Sequence, residues 1–314
     1  MSITELNEHA EAGRYRPDGE PGEYRSIWKY LYKTPHALGY IDAAGLGTRY
    51  LTAGSPDAPP LLLLHGTAGS IENFSANIAA YAEHFRVYVL DMLGCGWTDK
   101  PDYPYTPRRY AEHVVAFMDA VGLDRADVVG VSLGSFVAAR IAQDYPGRVG
   151  KIVSVAPAGI ITDPVAYQKN AQELIDRRSK ASADPTWDSI RFVFENLVLD
   201  KGVLIDDLIG IRLDIYRNPA LQEAMPHLLT PKGVDALTWE EWAELPNEIL
   251  VVASVDKPTM FLDNAYKIAE LNPHVTLWEL AGVDHWAQFE VPEEFNFRTI
   301  SWLKGDGLQL DKTV

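Results

Sequence analysis

A pentapeptide, Gly130-Val131-Ser132-Leu133-Gly134, stands between an apolar run at 126–129 and a helical pattern at 135–142. A chain can turn that sharply from strand to helix only where no side chain crowds the bend. Glycine on both sides of the serine therefore predicts an elbow with the hydroxyl at its tip. The bare pattern arises by chance about 0.1 times in a chain of this length, so its weight rests on what surrounds it.

What surrounds it is an alternation of strands and helices. Residues 39–42 and 48–52 predict a hairpin. Leu61-Leu62-Leu63-Leu64 is apolar throughout, as a strand buried on both faces must be. A helical stretch at 77–84 separates it from the strand at 85–90, which makes a βαβ unit and implies parallel pairing. Residues 106–121 carry Tyr110, Val114, Phe117 and Met118 at helical spacing. Further strands are expected at 151–155, 248–253 and 275–280, with helices at 264–271 and 295–303. The pattern predicts an α/β fold, doubly wound around a mostly parallel sheet.

Residues 158–247 break the alternation with helical segments at 166–178, 187–198 and 203–216, ended by Pro185, Pro219, Pro226 and Pro231. An insertion of this size suits a helical cap over the carboxyl edge of the sheet, where such sheets bind ligands. The expected division is an N-terminal arm at 1–38, a core at 39–157 and 248–314, and the cap at 158–247. The arm is polar and loose up to about residue 22; residues 26–32 predict a short helix that packs it down or meets a second copy in a homodimer.

A chain of 314 residues with formal charge −16 disfavours nucleic acid and anionic membranes as partners, since both reward Lys and Arg. Cys95 is the only cysteine, so no intrachain disulfide forms. The first residues lack the charge and apolar stretch of a signal peptide, and no apolar run approaches membrane-spanning length. The expectation is a cytoplasmic protein. Motifs for nucleotide and metal sites are absent, so no cofactor is expected.

A serine hydroxyl becomes a nucleophile when a base takes its proton, and the base needs an orienting acid. His285 follows the last expected strand through a short loop, at the edge where Ser132 emerges. His84 and His113 lie in helical patterns and are expected at the surface; His65 is expected to be structural. Asp256 follows the strand at 248–253 and is the favoured acid, with Asp263 and Asp284 as competitors. The order Ser, Asp, His is that of a hydrolase elbow. The amide of Leu133 and one from His65-Gly66-Thr67-Ala68-Gly69, that of Thr67, are the expected oxyanion donors. Gly66, Val131 and Trp286 are the expected substrate-facing neighbours.

His65-Gly66, the stretch Asp91-Met92-Leu93-Gly94-Cys95-Gly96, the elbow and Asp284-His285-Trp286 together resemble the α/β-hydrolase superfamily. Within it, His285-Trp286-Ala287-Gln288 followed by Glu290, Pro292, Glu293, Phe295 and Asn296 is similar to the meta-cleavage-product hydrolases. So is the cap stretch from Leu204 through Arg212 to Pro219. That resemblance implies hydrolysis of a carbon–carbon bond in a vinylogous 1,5-diketone, with Arg212 on the substrate carboxylate. Three positions depart from the group: Val131 where asparagine is usual, Thr67-Ala68 in place of a longer glycine run, and Lys257 where its acid normally sits. These keep a carboxylesterase or lactonase acting on a small hydrophobic ester as the alternative, and a slow-turnover receptor of the same fold as a third reading.

Overall fold

A computed structural model describes residues 25–309; the loose arm expected up to about residue 22 lies outside them. A short helix, α1 (Ile27–Leu31), precedes strand β1 (His36–Ala43), so the chain joins the sheet at His36. The turn from β1 to β2 (Leu46–Ala53) holds only Ala44 and Gly45, both at positive φ (54° and 88°), as a two-residue hairpin turn requires.

The remaining strands are β3 (Pro60–Leu64), β4 (Arg86–Leu90), β5 (Ala126–Val131), β6 (Val149–Val155), β7 (Ile249–Ser254) and β8 (Val275–Leu280). They form one eight-stranded sheet in the order β1-β2-β4-β3-β5-β6-β7-β8. Pairing is antiparallel at β1–β2 and β2–β4 and parallel elsewhere. Leu61 to Leu64 are 0% exposed, as a strand covered on both faces demands. The helices around the sheet are α2 (Ser75–Ala82), α3 (Pro107–Ala120), α4 (Leu133–Asp144), α10 (Met260–Leu271), α11 (Ala287–Glu290) and α12 (Pro292–Lys304).

The winding reverses at β3, which lies between β4 on one side and β5 on the other. At such a switch point the loops leaving neighbouring strands diverge and open a crevice at the carboxyl edge. The loop after β3 carries Gly66 and Thr67, and the end of β5 carries Ser132. The topology thus brings both sequence segments to one place.

Between β6 and β7 five helices follow: α5 (Pro164–Ala183), α6 (Trp187–Glu195), α7 (Asp206–Arg217), α8 (Pro219–Leu228) and α9 (Trp239–Glu244). Their starts are legible chemically. The Asp163 carboxylate accepts from the Val165 and Ala166 amides, and Thr186 and Thr238 close capping boxes with Ser189 and Glu241. Pro185 and Pro231 lie between helices and Pro219 opens α8, where its missing N–H is harmless. Pro226 does not end a segment: it sits inside α8, in the last turn, where only one hydrogen bond is forfeited.

His113 departs from expectation. It is 3% exposed, with Nε2 hydrogen-bonded to Thr48 Oγ1 (2.8 Å) and Nδ1 accepting from the Leu93 amide (3.0 Å). It shares the buried 110–114–117 face of α3, and its ring pins β2 to the loop after β4.

The elbow depends on backbone-to-backbone contact. A Cβ on Gly134 would overlap the Leu64 carbonyl of β3, and one on Gly130 would lie 2.5 Å from the Gly134 carbonyl carbon. Gly134→Ala should therefore destabilise the fold by about 3 kcal/mol or more, since rigid backbone rather than a mobile side chain must move. Urea unfolding of purified variant and wild type measures it, and a loss below about 1 kcal/mol would show the contact to be soft.

Candidate active site

Ser132 holds φ 54° and ψ −113°, a backbone conformation rare for any residue with a side chain. The bend is held by its neighbours: the Ser132 amide donates to the Val155 carbonyl (2.9 Å), while its own carbonyl accepts from the Ser135 and Phe136 amides. Leu133 is the first residue of α4, so its amide has no acceptor within the helix.

The opposing loop is equally constrained. The Gly69 amide donates to the Gly66 carbonyl (3.0 Å), and Ala68 takes φ 51°. Buried His65 sets the loop's orientation: Nε2 accepts from the Met92 amide (3.0 Å), so the proton is on Nδ1, which donates to the Gly66 carbonyl (2.8 Å). Burial drives this imidazole's pKa down to about 4, keeping it neutral and in that tautomer. Thr67 and Ser132 line the same two chambers, and Val131 lies buried behind them.

His285 faces the first chamber with Ser132, its ring edge-on to Phe261 at 4.5 Å between centroids. Its pKa falls to about 4; desolvation is the main cause, Arg178 and Arg177 push the same way, and Asp284 opposes. The ring is therefore neutral near pH 7.

The expected acids lie differently. Asp256 is exposed, and its Oδ2 accepts from the Gly282 amide of the histidine loop; among the described residues no hydrogen bond joins it to His285. Asp284 pairs with Lys257 (Nζ to Oδ2, 2.5 Å). Asp263 is exposed in the first turn of α10. A fourth carboxylate, Glu290, does more for the loop: Oε2 accepts from the Asp284 amide (2.6 Å) and Oε1 from the Leu199 and Asp200 amides of the cap. The Trp286 amide donates to the Leu197 carbonyl (3.0 Å), a second tie between histidine loop and cap. The Trp286 side chain is largely buried, packed on Phe194 and Phe289, and forms part of the first chamber's wall.

Arg212 lines the chamber, but its terminal nitrogens serve the fold. Nη1 donates to the Ala68 carbonyl (2.5 Å) and Nη2 to Asn73 Oδ1 (2.9 Å) and Ser70 Oγ (3.3 Å), while Nε has no partner among the described residues. It clamps cap helix α7 onto the loop that holds Thr67.

Two chambers meet at Ser132 and Thr67. The first, about 200 Å³, is more polar than the second and is lined by Arg177, Arg178 and Arg212 of the cap together with Glu173 and Asp284. The second, about 110 Å³, is apolar, with Leu133, Phe136, Ile175, Leu229 and Met260 in its walls. Among the described residues no cluster of His, Cys, Asp and Glu could hold a metal, and no helix is long and apolar enough to cross a membrane.

Residues 59–292 match the family model described as alpha/beta hydrolase fold. A 2-hydroxymuconate semialdehyde hydrolase of Pseudomonas putida is 27% identical over 263 residues, covering 81% of this chain and 90% of that one. A 2-hydroxy-6-oxo-6-phenylhexa-2,4-dienoate hydrolase of Burkholderia cepacia is 28% identical over 252 residues, 77% of this chain and 87% of that one. Among solved structures, a meta-cleavage product hydrolase of Pseudomonas fluorescens superposes with TM-score 0.74 at 26% identity, covering 86% of this chain and 99% of that one.

The state of His285 sets a pH dependence. A base with pKa about 4 is neutral at every higher pH and is lost only as the ring protonates below it. The acid limb of kcat/KM should fall near pH 4 to 5, read by brief pH-jump assays from a neutral stock; a midpoint near 6.5 would mean the ring is solvated.

Proposed function

Because this chain belongs to the α/β-hydrolase fold family, we propose that it is a cofactor-independent serine hydrolase that splits a carbon–carbon bond in a ring-fission dienoate. The observation that carries this reading is the strained Ser132 at the junction of a cationic and an apolar chamber, across from a neutral His285. A vinylogous diketone acid has those same two halves: an anionic, conjugated end and an apolar acyl end. The names of the similar proteins support the same chemistry.

In this mechanism His285 takes the Ser132 proton, and the oxygen adds to the ketone carbon. The Leu133 and Thr67 amides receive the oxyanion. Collapse breaks the carbon–carbon bond, the departing electron pair spreads into the conjugated acid end, and the proton taken up by His285 passes to the departing carbon, which leaves the ring neutral again. Water then attacks the acyl-serine, again with His285 as base. Asp256 acts through the loop: by taking the Gly282 amide it holds the backbone that carries His285. Arg212 keeps the oxyanion loop in register, and Gly66 lies in that loop beside Ser132.

One observation favours a second reading. Val131 offers no polar contact beside the nucleophile, and an apolar chamber of this kind also accepts the acyl part of a hydrophobic ester. The assay that separates them follows turnover of 2-hydroxy-6-oxo-6-phenylhexa-2,4-dienoate beside p-nitrophenyl butyrate. Dienoate cleavage with the higher kcat/KM supports the first reading; ester turnover alone overturns it. Ser132→Ala should remove about a thousandfold or more of either activity.

Asp256→Asn should lower kcat only about tenfold, because an amide oxygen still accepts from Gly282, whereas a direct orienter of the ring costs about ten-thousandfold. Steady-state kinetics on the same substrate reads the difference.

A further inference from the structure

Glu290 ends the one-turn helix α11, and its backbone is fixed to the core. Its amide donates to the carbonyl of Trp286 (2.9 Å), the residue after His285, and the Asn77 side chain of α2 donates to the nearby Gln288 carbonyl (2.8 Å). The Glu290 side chain, 6% exposed, reaches in two directions. Oε2 accepts from the amide of Asp284, the residue before His285 (2.6 Å). Oε1 accepts from the Leu199 and Asp200 amides (2.6 and 3.2 Å), just beyond cap helix α6. One carboxylate thus joins core, histidine loop and cap.

The His285 ring depends on that joint. Among the described residues the ring meets Phe261 edge-on but takes part in no hydrogen bond, so its place follows from its loop. Nor does a cation hold Glu290: among the described residues it forms no ion pair, and three amides are its polar partners. Burial raises its pKa, the amides oppose that rise, and the Asp284 carboxylate adds to it. Burying an ion without a counter-ion is costly, a penalty that a neutral side chain would avoid. A neutral amide, however, cannot accept from donors on both sides. Glutamine has one acceptor oxygen, so its NH2 would meet either the Asp284 amide or the two cap amides donor to donor.

We propose that Glu290 is the positioning residue of His285, and that by holding the histidine loop and the cap amides on one carboxylate it fixes where the ring stands beside Ser132. The work of that ring as a base rests on the hydrolase reading above; its placement does not. The charged groups that act on the ring are Arg177 and Arg178 of α5 and Asp284 of its own loop, the last paired with Lys257. Removing a carboxylate nearby could by charge alone only lower the ring's pKa. A loop released from the cap admits water to the ring and raises its pKa toward 6.5. The two effects have opposite signs.

The test follows the His285 ring by NMR titration in Ser132→Ala protein, with its signal assigned by its loss in His285→Gln. The midpoint, about 4 with Glu290 in place, should rise by about one unit or more in Glu290→Gln. With Ser132 restored, Glu290→Gln should lower kcat at pH 7 at least about tenfold and leave KM within about threefold, on the dienoate or on the ester. Glu290→Asp keeps both acceptor oxygens and should recover part of the loss. Should Glu290→Gln fail to fold, Glu290→Asp carries both readouts, with smaller changes of the same sign.

A midpoint that stays or falls, or a kcat within about twofold of wild type in a variant whose Tm drops, would overturn the role. An upward shift in a protein that cleaves neither substrate would sink the proposed reaction and leave the placement standing.

Discussion

The close approach of the α4 backbone to β3 is the contact on which the site depends. Gly134 lies against the Leu64 carbonyl, and Gly130 against the Gly134 backbone, so three elements meet without intervening side chains. That contact sets the distance between the elbow and the loop after β3, and with it the spacing of the Leu133 and Thr67 amides. Ser132 stores backbone strain of roughly 1–3 kcal/mol, which persists only because the surrounding sheet over-determines it. The fully buried leucines of β3 and the Ser132–Val155 hydrogen bond supply that rigidity. His65 extends it sideways, since one neutral ring fixes both the Gly66 carbonyl and the Met92 amide.

The histidine side of the site is built on another principle. His285 sits on a loop held by polar ties: Asp256 to Gly282, Lys257 to Asp284, and Glu290 to Asp284 and to the cap amides at 199 and 200. Two of these five ties reach the cap rather than the core. Ser132 is thus anchored to the sheet, whereas the loop of His285 is anchored partly to the cap. Any movement of the cap would displace that loop, Arg177 and Arg178 relative to Ser132.

How far the sequence revealed this differs from residue to residue. Apolar runs such as 61–64 and the glycine pair around Ser132 announced the sheet, the switch-point crevice and the elbow, because each follows from local sterics. His113 shows two signals that disagree: its polarity points to the surface, but it shares the 110–114–117 helical face, and packing follows the periodicity. Pro226 breaks no helix because proline disrupts helix interiors and is tolerated in a last turn. Where the carboxylate of Asp256 points depends on the backbone path after β7, which no spacing encodes. Arg177 and Arg178 carry no motif at all. Their meaning arises only when α5 folds over the sheet and leaves two cations facing a chamber.

That chamber charge bears on the chemistry in two opposed ways. Burial does most to bring His285 to a pKa of about 4, and Arg178 and Arg177 push it the same way, so the ring is a weak base by the Brønsted relation. The chamber charge also favours every anion that forms nearby, the serine oxygen included, in a site where water is largely excluded. For an ester, the leaving oxygen bears its own charge and gains little from a distant cation. For a carbon–carbon bond the departing carbon must disperse its electron pair along the conjugated acid, and a chamber wall lined by Arg177, Arg178 and Arg212 favours that spread of charge. A cationic wall on that side costs basicity at the histidine and returns stabilisation where carbon chemistry most needs it, which is why the charge pattern favours the dienoate over the ester.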